Sequence, residues 1–145
     1  MSQYPLFCEC IPGKFDMSGG AEVIEEGGTA PSTIIGTNQK WKVRFDWKQW
    51  GHLCTHFSAN CYWNIHLYLH PWEGLYSPNW THELTVQYEK VDGHEYKNKE
   101  LEVKAGAVPV GVYRLGAVVQ LYDEMKKPMP ILGYIDGPFL QFFNP

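Results

Sequence analysis

No stretch of this sequence approaches the ~20 consecutive apolar residues that a membrane-spanning helix needs. Residues 1–15 lack a basic start followed by an apolar run, so a secretory leader is not expected. The reading is a cytoplasmic protein with no membrane partner, or one that leaves the cell by another route. Basic charge is also thin: 12 Lys and Arg stand against 16 Asp and Glu, for a net charge of −4. The cations are scattered singly or in small pairs (Lys97/Lys99, Lys126/Lys127). Nucleic-acid binding draws most of its affinity from a concentrated cationic face, so that partner is not expected either.

Cysteine is scarce, at four positions: Cys8, Cys10, Cys54 and Cys61. The Cys-x-x-Cys pairs that mark zinc sites are missing. Free thiols are expected in a reducing compartment, although Cys54 and Cys61 could meet across a strand pair. There is no Gly-x-Ser-x-Gly elbow and no Gly-Lys-Ser/Thr phosphate loop. No segment of ten or more residues carries a helical period, and no repeat or linker is visible. These gaps leave no motif that commits to a reaction, and no cofactor is expected.

What the sequence does have is aromatic residues and turns. Six Trp, nine Tyr and seven Phe occur among 145 residues, with 14 Gly and 10 Pro. Aromatic and β-branched side chains suit strands, and Gly and Pro punctuate them. The length fits one domain able to bury roughly two-thirds of its unfolded surface. Residues 1–20, interrupted by Pro5, Pro12, Gly13, Gly19 and Gly20, read as an irregular N-terminal arm or an irregular edge segment. Residues 21–145 read as the folded domain.

Alternation of period two marks the strands. Between Gln39 and Trp50, Trp41, Val43, Phe45 and Trp47 share one face, and Lys42, Arg44, Asp46 and Lys48 the other. From Tyr62 to His70, Trp63, Ile65, Leu67 and Leu69 face one way, and Pro71 ends the run. Shorter strands are expected near residues 21–25, 83–88 and 100–103, and residues 32–35 could pair at a sheet edge. Gly111 to Asp123 reads as the longest strand, with Tyr113, Leu115, Ala117, Val119 and Leu121 inward. A last strand over about 131–143 is interrupted at Gly137-Pro138 by a bulge or edge switch. About seven strands spaced by turn signals predict an all-β, single antiparallel β-sandwich.

The stretch Val110-Gly111-Val112-Tyr113-Arg114-Leu115 resembles the penultimate strand of an immunoglobulin-like sandwich. The resemblance implies that Tyr113 turns its hydroxyl back onto the backbone as a tyrosine corner, and that a hairpin leads into the last strand. The cysteine of the inter-sheet disulfide is absent. The fold hosts many unrelated roles, so the resemblance implies no particular activity.

The strongest functional clue is the second face of the Tyr62–His70 strand. It carries Tyr62, Asn64, His66, Tyr68 and His70, where a solvated strand normally carries Lys, Glu or Thr. Trp72, Tyr76 and Trp80 follow in the adjoining loop. Rings supply apolar contact while amide and imidazole groups fix orientation, as interfaces and sugar sites require. The face is therefore expected either to bind or to lie under an arm or loop. The leading expectation is a non-enzymatic binding or assembly module that meets another protein or a second copy of itself. Carbohydrate binding through the same rings, with Trp72 stacking on a glycan, is the alternative. A third reading uses His52, Cys54, His56 and His66 as zinc or copper ligands, since the first three alternate along what would be one strand face. Cys54 and His56 would also suit a nucleophile and its base. His66 and His70 lie roughly 13 Å apart along a strand, so one ion cannot take both.

Overall fold

The alternating segments become strands in a computed structural model that describes residues 4–26, 33–72 and 80–145. In chain order they are β1 (Tyr4–Pro5), β2 (Phe7–Glu9), β3 (Asp16–Glu25), β4 (Ile34–Gly36) and β5 (Trp41–Trp50). A short 3-10 turn (His52–Thr55) precedes β6 (Tyr62–Pro71), β7 (Trp80–Gln87), β8 (Glu95–Val103), β9 (Gly111–Tyr122) and β10 (Pro128–Phe143). One sheet has four strands in the order β1-β3-β5-β8. The other has six, in the order β2-β10-β9-β6-β7 with β4 beside β10. Every ladder is antiparallel except the parallel pairing of β4 with β10. Among the described residues no helix is long and apolar enough to cross a membrane.

This is the expected all-β sandwich, with ten strands in place of about seven. The additional strands are the short β1, β2 and β4, of two or three residues each. β1 and β2 are too brief for periodicity to register, whereas β4 falls at the edge pairing expected near residues 32–35. Two further expectations change. The stretch read as an irregular arm is largely sheet: β1 joins β3, β2 joins β10, and residues 16–20 pair with Trp50 through Asp46. Gly19 looked like a breaker, yet it is what lets the pair form. The carbonyl of Asp46 and the backbone of Trp47 occupy the space its side chain would need. The longest strand is β10, at 16 residues, rather than β9. A register shift between Asp136 and Phe139 marks the expected bulge at Gly137-Pro138.

The core lies between the inner faces of the two sheets. Trp41, Val43, Phe45 and Trp47 of β5 meet Trp63, Ile65, Leu67 and Leu69 of β6, and Tyr113 through Leu121 of β9 on the alternating positions. Trp63 sits at the centre, with its ring 5.7 Å from Trp47, 5.9 Å from Tyr96 and 6.2 Å from Phe15. Such rings bury large areas and prefer the tilted and edge-on contacts seen here. Gln49 is the one buried residue of the described chain that is polar, and it is fully hydrogen-bonded. Its Nε2 donates to the carbonyls of Glu89 (2.7 Å) and Val91 (3.0 Å), and its Oε1 accepts from the Tyr96 hydroxyl (2.8 Å). This ties the β5 end to the turn before β8 and gives each polar atom of the Gln49 side chain a partner. The Tyr113 hydroxyl donates to the Pro109 carbonyl at 2.9 Å, pinning the loop that enters β9.

Candidate functional site

With one face of β6 buried, alternation turns Tyr62, Asn64, His66, Tyr68 and His70 outward, where they are half-buried or exposed. Ladder registry sets their neighbours. Tyr62 pairs with Tyr122 of β9, Asn64 with Gln120, His66 with Val118, Tyr68 with Gly116 and His70 with Arg114. On the β7 side Asn64 faces Thr85, His66 faces Glu83 and Tyr68 faces Thr81. Beyond β9, β10 adds Tyr134 beside Val118, Asp136 beside Gly116 and Phe139 beside Arg114. Phe7 of β2 pairs with Tyr134, their rings 5.5 Å apart. The β6 face is therefore the middle of a broad surface, the outer side of the six-stranded sheet.

This surface has two halves. One is aromatic: Phe7, Tyr68, Trp72, Tyr134 and Phe139 are all exposed large apolar residues. Trp72 meets Phe139 edge-on at 4.9 Å, and the Arg114 guanidinium lies 5.7 Å above the Phe139 ring. Arg114 is also held by a forked pair of bonds to Asp136, Nη2 donating at 2.7 Å to Oδ1 and 2.8 Å to Oδ2. The other half is polar. Tyr62 and Tyr122 stack nearly parallel, 5.4 Å apart, beside Asn64, Thr85 and Gln120. Between the halves, His66 Nδ1 lies 2.8 Å from Glu83 Oε1.

Not all of the expected site residues come together. Trp80 pairs with Leu69, whose side chain is buried, so it faces the inner side of the sheet and packs 6.1 Å from Trp41. It belongs to the core margin and offers no platform on the outer face. Tyr76 lies outside the described residues. Phe7, Tyr134 and Phe139 were missed. Tyr134 and Phe139 were legible in principle as outward positions of the last strand, but their meeting with β6 residues depends on the sheet order. Phe7 was hidden by the reading of residues 1–20 as an arm.

The metal reading fails on geometry. His52, Cys54 and His56 do not lie on a strand, because residues 52–55 form a 3-10 turn. That turn sends Cys54 into the core and leaves His52 and His56 exposed. His56 Nδ1 sits 2.8 Å from the His52 carbonyl, and His66 is on β6 with Glu83 as its partner. Among the described residues no group of three or more His, Cys, Asp or Glu could hold a metal ion. The same separation removes His56 as a base for Cys54. Burial, helped by the nearby Asp92 charge, pushes the Cys54 thiol up to about 11, so it is not a ready nucleophile. All four cysteines are free, and the bridge between Cys54 and Cys61 is not formed. Burial likewise pushes Cys10 up to about 12, with the neighbouring Cys8 and Asp16 adding to the shift.

No protein-family model matches this sequence, and no curated protein is significantly similar to it, so the geometry of the outer sheet face alone carries the functional reading.

Proposed function

We propose that this chain is a binding or assembly module that pairs with a second copy of itself through the aromatic half of the outer six-stranded face. The observation that carries the reading is the clustering of Phe7, Tyr68, Trp72, Tyr134 and Phe139, drawn from three strands and the end of β6, on one open surface. Contiguous exposed apolar area of this kind is uncommon on monomers and marks contact sites. Four strands spaced ~4.8 Å apart and about ten residues long present ~600 Å² of flat area, of which the aromatic half is about 300 Å². That is below the ~800 Å² per partner of a standard interface and suits a weak, reversible contact.

Charge favours a second copy over a charged partner. The chain carries a net charge of −4, which by itself opposes self-association. On the aromatic half, however, Arg114 is closed on Asp136 by an ion pair, so little unpaired charge is presented there. Two such faces can meet without stranding an ion, which is the costly error in an interface.

The experiment is sedimentation velocity up to ~500 μM chain, where a complex with a Kd near 100 μM would be mostly formed. The expected result is a concentration-dependent dimer that Tyr68→Lys shifts to monomer. A chain that stays monomeric throughout overturns self-association.

The immunoglobulin-like reading of the fold is supported by strand order. With β9 as the penultimate strand, β3-β5-β8 correspond to A-B-E and β10-β9-β6-β7 to G-F-C-C′ of that architecture. Trp63 stands where such domains keep a core tryptophan on strand C, and Tyr113 bonds back to Pro109. Trp47 and Tyr96 pack against Trp63 in place of an inter-sheet disulfide.

A further inference from the structure

The polar half of the outer face has a shape of its own, independent of the aromatic contact surface. Two adjoining depressions, of about 230 and 480 Å³, share Asn64, Glu83 and Tyr122 as lining residues and form one groove across β7, β6 and β9. His66, Val118 and Gln120 complete one end, and Tyr62, Thr85 and Lys126 the other.

The chemistry of the groove narrows what can occupy it. The Asn64 side chain makes no hydrogen bond among the described residues, so both its donor and acceptor sides are available. Glu83 uses Oε1 on His66 and leaves Oε2. Gln120 uses its Nε2 on the Met129 carbonyl at 3.3 Å and leaves its amide oxygen. Thr85 and the Tyr122 hydroxyl are likewise without partners among the described residues. Donors and acceptors are thus interleaved at short range around a pair of stacked phenol rings. One carboxylate and one ammonium balance, so neither an anion nor a cation is favoured. The groove crosses strands in the middle of a sheet whose ladders are filled, so an added peptide strand finds no free edge there.

We infer that this groove binds a neutral saccharide. Each sugar hydroxyl both donates and accepts, which matches the mixed lining of Asn64, Glu83, Thr85 and Gln120. The apolar C–H face of a pyranose ring packs on an aromatic ring such as Tyr62 or Tyr122, which supplies the apolar share of the contact. The groove is shallow and open, so the affinity is that of a surface site, with Kd near ~1 mM for a short oligosaccharide.

The test is amide chemical-shift mapping of the full chain with maltohexaose, cellohexaose, chitohexaose, xylohexaose and mannohexaose, each to ~5 mM. At least one is expected to shift the amides of Tyr62, Asn64, Thr85, Gln120 and Tyr122. Asn64→Ala and Tyr62→Ala are each expected to weaken that binding ~10-fold or more, about 1.4 kcal/mol. Asn64 and Tyr62 are on the open face, and Thr85→Lys, which fills the groove from an exposed position, serves if either of the first two unfolds. No shift with any of the five sugars overturns the inference. So does a response that maps elsewhere or survives all the folded variants. Because Tyr68→Lys leaves the groove intact, sugar binding that persists in that monomer separates this site from the proposed dimer contact.

Discussion

The ring of Tyr68 occupies the space that any side chain at Gly116 would need, directly across the β6–β9 ladder. A glycine at that position in the middle of a strand lets an aromatic ring lie down over the neighbouring strand, which shields the bare backbone. The ring is held there by one side of the sheet and is exposed on the other.

Gly116→Val should therefore lift Tyr68 off the sheet without touching the core, since the opposing atoms are the far end of a mobile side chain. The expected cost in stability is about 1 kcal/mol or less. Self-association should weaken, as is expected of Tyr68→Lys. Thermal unfolding and sedimentation on the same sample check both; unchanged association would show that Tyr68 is not part of the contact.

Gln49→Leu should be far more damaging. It leaves the Tyr96 hydroxyl proton without its acceptor and takes one of two donors from each of the Glu89 and Val91 carbonyls, which keep the backbone N–H groups of Val91 and His94. A buried group left unpaired costs ~1–3 kcal/mol, so a loss of ~2 kcal/mol is expected. For a chain of this length that is a fall of about 6 °C in Tm. Urea denaturation gives the free energy directly, and a loss under ~1 kcal/mol would mean that water replaces the lost bonds.

Tyr113→Phe removes only the bond to Pro109, so a cost of ~1 kcal/mol is expected with the fold intact. The readout is hydrogen exchange in residues 107–111, which should quicken if that bond anchors the loop. Unchanged exchange there would assign the anchoring to ring packing instead.

Stability should fall on the alkaline side. Burial raises Cys54 to about 11 and Tyr96 to about 12, and raises Tyr88 as well. Their folded values lie above the unfolded ones, so the folded state holds these protons more tightly. The corresponding stability is complete below the ordinary thiol value of ~8.5 and is lost as pH rises through that value toward the raised ones. Urea midpoints should be flat up to about pH 8.5 and decline beyond it. Cys54→Ala should flatten the first part of that decline; an identical slope in both proteins would remove Cys54 as a contributor.

The inward faces were legible at the level of single strands. Trp41 to Trp47, Trp63 to Leu69 and Tyr113 to Leu121 alternate strictly, because a half-buried strand repeats every two residues and any slip would turn its apolar set to water. The bulge at Gly137-Pro138 and the inward turn of Tyr113 were equally local. The short strands were not. Two or three residues cannot display a period, so β1 and β2 rest on the open edges of β3 and β10, and for β4 only a possible edge pairing near residues 32–35 could be read.

The candidate site divides the same way. Alternation alone placed Tyr62, Asn64, His66, Tyr68 and His70 on one side of a strand. It had no means of saying that Tyr134, Phe139 and Phe7 join them, because that depends on β10 lying beside β9 and β2 beside β10. It also put Trp80 with that face, whereas pairing with Leu69 turns it toward Trp41. Side-chain direction within a strand is a property of the backbone repeat, and so the chain itself determined it. Which residues become neighbours across strands is set by sheet order and register, and only the packing of the whole fold decided that.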